Sequence, residues 1–293
     1  MVRLVLPCRP MEPSRRTAVR IRPKRRAATA HRLAVFTSVD GTLLDAHTFE
    51  AGANRATIRR LHAAGVPVIP VSVMTLDEIT PIAEDLEFKH AMIFEAGGAI
   101  ARRVGERWEV EPCGPPADTL LDVILDIERR SGANLLVYSA LPENEAAHLS
   151  GRWGEMLQAS THRSFSEPFV IESGDIERVR RAAAAMGFSV RHGRRFLHLC
   201  RTCDEGEAFT RLREELQCDL AIAIGGAPVD AEFLAHAEIP IIVPGPNGKP
   251  DPELLAAVPN ARVAPAPGPA GWAAAIEEAW RSVAAPKRRT RAG

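Results

Sequence analysis

The chain alternates short, dense apolar runs with longer segments whose apolar positions recur every three or four residues. Residues 33–39 form one such run and 66–73 a second, β-branched one. Both are short and lack polar alternation, which predicts strands buried on both faces. Between them, residues 54–64 place Ile58 and Leu61 on one face and stop at Gly65, the pattern of a helix. Thr75-x-x-Glu78 is a capping box and opens a helix to about residue 86, which Pro81 must strain or kink. Residues 91–94 predict a third short strand. From about Pro112 the rhythm changes, with helix 118–130, strand 135–138, helical stretch 143–158, strand 169–172, helix 175–186 and strands near 188–192 and 196–200. The strand–helix alternation then resumes: helix 205–216, strand 220–224, helix 229–236, strand 239–243 and, after Gly268-Pro269, a final helix over 273–283. Such alternation implies parallel pairing through right-handed crossovers. The expectation is an open α/β sheet of Rossmannoid type from 31–111 and 200–284, with an α+β module, 112–199, inserted into it.

Composition narrows the class. The chain has 293 residues, 46% of them apolar, enough for roughly two ordinary domains with a sizeable core. No apolar run is long enough to cross a membrane. The net charge is zero, but unevenly spread. Residues 1–32 carry ten Lys or Arg against Glu12 alone, and 285–293 carry Lys287, Arg288, Arg289 and Arg291 with no acid. Basic ends on an acidic body can contact nucleic acid or a membrane surface, yet no aromatic-studded basic surface or reading module accompanies them. The expectation is a disordered N-terminal extension, 1–30, faintly similar to a transit peptide, and a basic tail, 285–293. Neither a membrane nor a nucleic-acid partner is expected. Five cysteines, an odd number in a chain of this size, argue against a disulfide framework and for a reducing, cytoplasmic setting. Cys200-x-x-Cys203 is a lone pair without nearby His ligands, hence a weak metal signal.

Candidate chemistry centres on Ser38-Val39-Asp40-Gly41-Thr42-Leu43-Leu44. This stretch resembles motif I of the haloacid-dehalogenase (HAD) phosphohydrolases, D-x-D-G-T-L. The order of pieces from about 33 to 284 is similar to a HAD phosphatase with a cap of type IIB between motifs II and III, and within that superfamily to the mannosyl-3-phosphoglycerate phosphatase family. Residues 67–75 resemble the motif II strand followed by T-S-K-T, 94–100 resemble E-N-G-G-A-I, and 163–169 resemble a segment of the R-x-x-S-E-P type. Residues 193–199 resemble G-G-R-F-x-H-L, and 267–272 resemble P-G-P-x-G-W.

The resemblance implies a HAD-like core with an inserted cap, and hydrolysis through an aspartyl-phosphate. It further implies Mg²⁺ held by the attacking carboxylate, the carbonyl of the second Asp and a motif IV Asp, with a motif III Lys beside it. This chain departs from the pattern at several of these positions. Ser38 stands at the nucleophile, Glu205 at the Lys, Gly226 at the metal-binding Asp, Met74 at the motif II Lys and Ala96 at the Asn of E-N-G-G. Asp40 (acid/base position), Gly41, Thr42, Ser72 (phosphate position) and Asp230 remain. Losing nucleophile, Lys and metal carboxylate together removes a cooperating unit, so the expectation is impaired catalysis and action as a sugar-phosphate or partner binder. The alternative is an active Mg²⁺-dependent phosphatase for mannosyl-3-phosphoglycerate or a related phosphosugar. Asp40 and Asp230, with Glu205, either gather to bind a cation or remain solvated carboxylates. Ser38 paired with Asp40 is a weaker candidate nucleophile, because no His is placed by sequence to activate it. Arg163, Ser164, Arg194 and His198 are candidates for a glycerate carboxylate or sugar hydroxyls, the other reading being an ion pair with Glu167 or simple surface exposure. Gly97 and Gly98 either let the chain approach a ligand closely or form a tight turn.

Overall fold

Residues 32–201 and 204–284 are described in the computed structural model, and the two basic ends and Cys203 of the C-x-x-C pair lie outside them. Strand β1, Leu33–Ser38, is buried beyond Leu33. Its alternate side chains feed opposite layers, as period two requires. Val35 joins a cluster with Ile58, Leu61 and Trp272, while Ala34 and Phe36 join one with Phe209, Leu212 and Phe233. The chain continues through α1 (Asn54–Ala63), β2 (Val68–Val71), α2 (Leu76–Asp85) and β3 (Ala91–Phe94), then β4 (Ala99–Val104) and β5 (Arg107–Pro112). An insertion follows: α3 (Ala117–Ser131), β6 (Asn134–Val137), α4 (Glu143–Ser150), α5 (Glu155–Thr161), β7 (Pro168–Ser173), α6 (Ile176–Ala184), β8 (Phe188–His192) and β9 (Leu197–Arg201). The first layer resumes with α7 (Asp204–Glu215), β10 (Leu220–Gly225), α8 (Ala231–Ala235), β11 (Ile239–Ile242), α9 (Pro252–Ala257), β12 (Arg262–Val263) and α10 (Gly268–Ala284).

The main sheet runs β12-β11-β10-β1-β2-β3-β4-β5, and a four-stranded sheet runs β6-β7-β9-β8. Pairing is parallel from β12 to β3, but β3–β4 and β4–β5 are antiparallel. The expectation of uniform parallel pairing therefore fails at that edge. The hairpin was not predicted because β5 is mostly exposed and carries charge where an apolar alternation would mark a strand. Its ladder to β4 and the Arg102–Glu111 pair hold it instead. The stretch 143–158 is two helices, broken where Gly151 and Gly154 adopt left-handed φ of 67° and 56°. The capping box on α2 is present, and Pro81 is accommodated on the exposed side of a continuous helix. In the smaller, fully antiparallel sheet, Phe169, Val190 and Leu197 pack under Leu120, Ile124 and Ile127 of α3 and Val179 of α6. Among the described residues no helix is long and apolar enough to cross a membrane.

This topology positions the site. Strand order reverses at β1, which lies between β10 and β2, and open α/β sheets bind ligands outside the carboxyl ends of strands at such a point. Ser38 is in register with Val71, and Thr37 with Ile224. Ser38, Ser72 and Gly226 consequently leave the sheet along one edge.

Candidate functional site

Residues 39–43 form a tight turn at the end of β1, closed by Leu44 N–H donating to the Val39 carbonyl at 2.9 Å. Gly41 is left-handed (φ 66°), a conformation that penalises a side chain. A second reason for glycine comes from the inserted layer. The β8–β9 hairpin tip reaches this turn with two consecutive arginines, and a Cβ at position 41 would sit 2.4 Å from Arg194 Nε. Arg194 Nε donates to the Asp40 carbonyl and Nη2 to the Gly41 carbonyl, both at 2.7 Å. Arg195 Nη1 pairs with Asp40 Oδ2 at 2.9 Å, and its Nη2 donates to the Ala46 carbonyl at 2.8 Å. Asp40 Oδ1 is buried without a hydrogen-bond partner.

Asp230 is buried at the mouth of β10. Its Oδ2 accepts from the Gly226 and Ala227 amides at 2.7 and 2.9 Å. Burial pushes its pKa up, while those amides, the Arg194 charge and a hydrogen bond with Ser38 pull it back. Ser72 is also buried; its Oγ accepts from Met74 N–H at 3.1 Å and shapes the loop after β2. Glu205 is buried in the first turn of α7.

The inserted layer is fastened to the main one at a second place. Glu95 lies just past β3 with φ of 50°, followed by Ala96 at 56° and Gly97 at 86°. Ala is a poor left-handed residue, so Ala96 in this conformation adds local strain. The Glu95 carboxylate accepts from the amides of Ser164 and Phe165 and from Ser166 Oγ at 2.8–3.2 Å. Arg163 donates to Ser166 Oγ and to the Val73 and Ser160 carbonyls. Its partners are therefore Ser166, backbone carbonyls and Glu95 at 3.9 Å, and not Glu167, which is held by Ser139. Gly98 is pressed against the Phe165 backbone, where a Cβ would meet the carbonyl oxygen at 2.5 Å. Glu78 caps α2 and also pairs with Arg152 at 2.6 Å in a buried contact between the layers.

Asp40, Glu78, Arg152, Arg163, Arg194 and His198 line a cavity of about 30 Å³. That is room for one or two waters, far below the several hundred Å³ of a small-molecule pocket.

His198, on β9, is fully buried, and burial with the nearby Arg163 charge lowers its pKa from 6.5 to about 3. The unfolded imidazole takes up a proton below pH 6.5, whereas the folded one stays neutral until about 3. Unfolding therefore binds protons across that window. This histidine lowers stability by up to about 1.4 kcal/mol per pH unit as the pH falls, with no effect above it. Urea unfolding from pH 7 to 4 should show this slope in the wild type and a flatter one in His198→Leu. Equal slopes would mean that the imidazole is open to water.

The implied Mg²⁺ does not fit these residues. Position 226 has no side chain, the Asp40 carbonyl is taken by Arg194, and Asp230 Oδ2 already accepts two amides. Among the described residues no group of three His, Cys, Asp or Glu converges as metal ligands, so of the two alternatives for Asp40, Asp230 and Glu205 a shared cation site finds no support. Of the sequence candidates, Ser38, Asp40, Asp230 and Arg194 come together at the end of β1, whereas Arg163, Ser164 and Gly98 meet at Glu95. Sequence reasoning missed Glu78, Glu95, Arg152 and Arg195. One signal was available for Arg195: in the pattern G-G-R-F-x-H-L the arginine aligns with Arg195, and position 194 aligns with a glycine.

No family model matches the chain. A glucosyl-3-phosphoglycerate/mannosyl-3-phosphoglycerate phosphatase of Methanococcoides burtonii is 26% identical over 261 residues, covering 83% of this chain and 95% of its own. The protein of the same description from Persephonella marina is 25% identical, covering 85% of this chain and 96% of its own. Among solved structures, a sugar phosphatase of HAD subclass IIB superposes with a TM-score of 0.62 at 14% identity, covering 85% of this chain and 98% of that one. A HAD-superfamily phosphatase from Bacteroides thetaiotaomicron superposes with a TM-score of 0.65 at 12% identity, covering 88% and 97%.

Proposed function

We propose that this chain, a relative of the glucosyl-3-phosphoglycerate/mannosyl-3-phosphoglycerate phosphatases with the fold of HAD phosphatases, binds a phosphorylated sugar or glycerate-linked ligand without hydrolysing it through an aspartyl-phosphate. One observation carries the reading. At the reversal of strand order, where attack on phosphorus would start, the end of β1 presents the hydroxyl of Ser38, and the two nearest carboxylates are engaged. Asp40 pairs with Arg195, and Asp230, which also hydrogen-bonds Ser38, is buried and accepts two amides. A serine hydroxyl needs a base, and its phosphate ester resists hydrolysis far more than an acyl phosphate does. The cysteine count supports a cytoplasmic setting.

Purified full-length protein should release no phosphate from mannosyl-3-phosphoglycerate or other phosphosugars with or without Mg²⁺. The same ligands should raise its melting temperature, since a ligand at 100 times its Kd adds about 2.7 kcal/mol to folding stability. Mg²⁺-dependent turnover that disappears in Asp40→Asn would overturn the proposal. The absence of any melting shift across the panel would remove its binding half.

A further inference from the structure

Arg194 stands out because nothing about a merely structural arginine requires two glycines to surround it. Its guanidinium binds three neutral oxygens of the β1 turn: the Asp40 and Gly41 carbonyls, and Thr42 Oγ1 at 3.4 Å. A Cβ on Gly226 would lie 2.6 Å from Arg194 Nη2, and a Cβ on Gly41 2.4 Å from Nε. A side chain at position 226 would require the end of this arginine to move. Converging carbonyl and hydroxyl oxygens beside a buried carboxylate are acceptors that call for a cation. Here Arg194 is that cation, and its charge acts on Asp230. The two departures from the resembled pattern are reciprocal. Position 226 carries no side chain where the Arg194 guanidinium lies, against the Asp and Gly of the resembled motifs, and the two positions touch across the layers.

We propose that Arg194 is the resident cation of this site, its guanidinium occupying the place that a divalent ion would need, so that the protein excludes Mg²⁺ and holds the hairpin over β1 by the same contact. The two jobs follow from guanidinium chemistry. It carries a permanent charge, like an ion, and donates directionally to several carbonyls at once, unlike one. A divalent ion would instead require carboxylates at 38 and 226, which are Ser38 and Gly226. This deepens the reading above and rests on it only for the absence of metal-dependent turnover. The experiment therefore measures ion binding rather than phosphate release.

Mg²⁺ and Mn²⁺ would be titrated by calorimetry, and Mn²⁺ by electron paramagnetic resonance, into four full-length proteins: wild type, Arg194→Gly, Ser38→Asp/Gly226→Asp, and the three changes combined. The wild type and the two-carboxylate variant should bind no ion specifically. The combined variant should bind one, at least tenfold more tightly than either. Amide exchange in 39–44 should rise in Arg194→Gly, and added ethylguanidinium should slow it again, a rescue that general unfolding would not allow. Three results would overturn the proposal: one tightly bound Mg²⁺ in the wild type, equal metal binding by the two-carboxylate variant with Arg194 in place, or no binding by a folded combined variant. Tight Mg²⁺ binding without turnover would sink this inference alone. Turnover would sink the functional reading instead.

Discussion

Trp272→Ala is expected to lower the unfolding free energy by about 3–5 kcal/mol, the range for truncating a large buried aromatic. Trp272 has 0% exposure and lies near the start of α10, against Val39, Leu43 and Val35. Alanine would forfeit the apolar burial of the indole and leave a cavity beneath the turn that carries Asp40. A polar link is also lost. The indole N–H donates to Thr37 Oγ1 at 2.8 Å, and that hydroxyl donates to the Ser38 carbonyl at 2.8 Å. Trp272→Phe keeps most of the volume and removes only the N–H, so its cost beyond lost area should be about 1 kcal/mol. Urea unfolding followed by circular dichroism separates the two variants. A loss below 1 kcal/mol for alanine would show that α10 is not the anchor of the β1 turn.

Glu95→Ala should cost a similar amount, about 3–5 kcal/mol, for an electrostatic reason. The carboxylate is buried and answers two backbone amides, one hydroxyl and the Arg163 charge. Burying that charge carries a desolvation cost, repaid only because its hydrogen bonds are filled. Removing it leaves the amides of 164–165 and a buried guanidinium uncompensated. Glu95→Gln retains size but loses the charge, so it should fall between wild type and alanine. Salt should change the loss little, since the pair is screened from solvent. Amide exchange gives the local readout: the Ser164 and Phe165 N–H groups should lose protection in both variants. Unchanged protection would mean that this clasp contributes nothing to holding the layers together.

What was readable in advance follows from the range of the forces involved. The strands 33–39, 66–73, 91–94, 220–224 and 239–243 announce themselves because a strand covered on both faces must be apolar at every position. The α2 capping box is equally legible, being a reciprocal contact within four residues. The β4–β5 hairpin was not, since an exposed edge strand is held by backbone pairing that leaves no apolar signature. The break between α4 and α5 lay in Gly151 and Gly154, whose left-handed conformations a glycine permits but does not compel.

The same division runs through the site. Ser38, Asp40, Gly226 and Asp230 could be named from the chain because each follows a recognisable strand, and the sheet's topology brings strand ends together. The residues at 38, 205 and 226 are likewise read from the linear chain. The partner of the Asp40 turn could not be named, because Arg194 and Arg195 lie more than 150 residues away and arrive on a hairpin of another sheet. Nor could the pairing of Glu95 with 164–166, nor that Arg163 faces Glu95 instead of Glu167, which is nearer along the chain. Local chemistry is written in neighbours, so the amino-acid sequence by itself determined the strands, the cap of α2 and which residue types stand at 38, 205 and 226. Charges that must be neutralised in a dry interface find whichever partner the packed layers present, and only the tertiary structure decided that Arg194 and Arg195 close on the Asp40 turn.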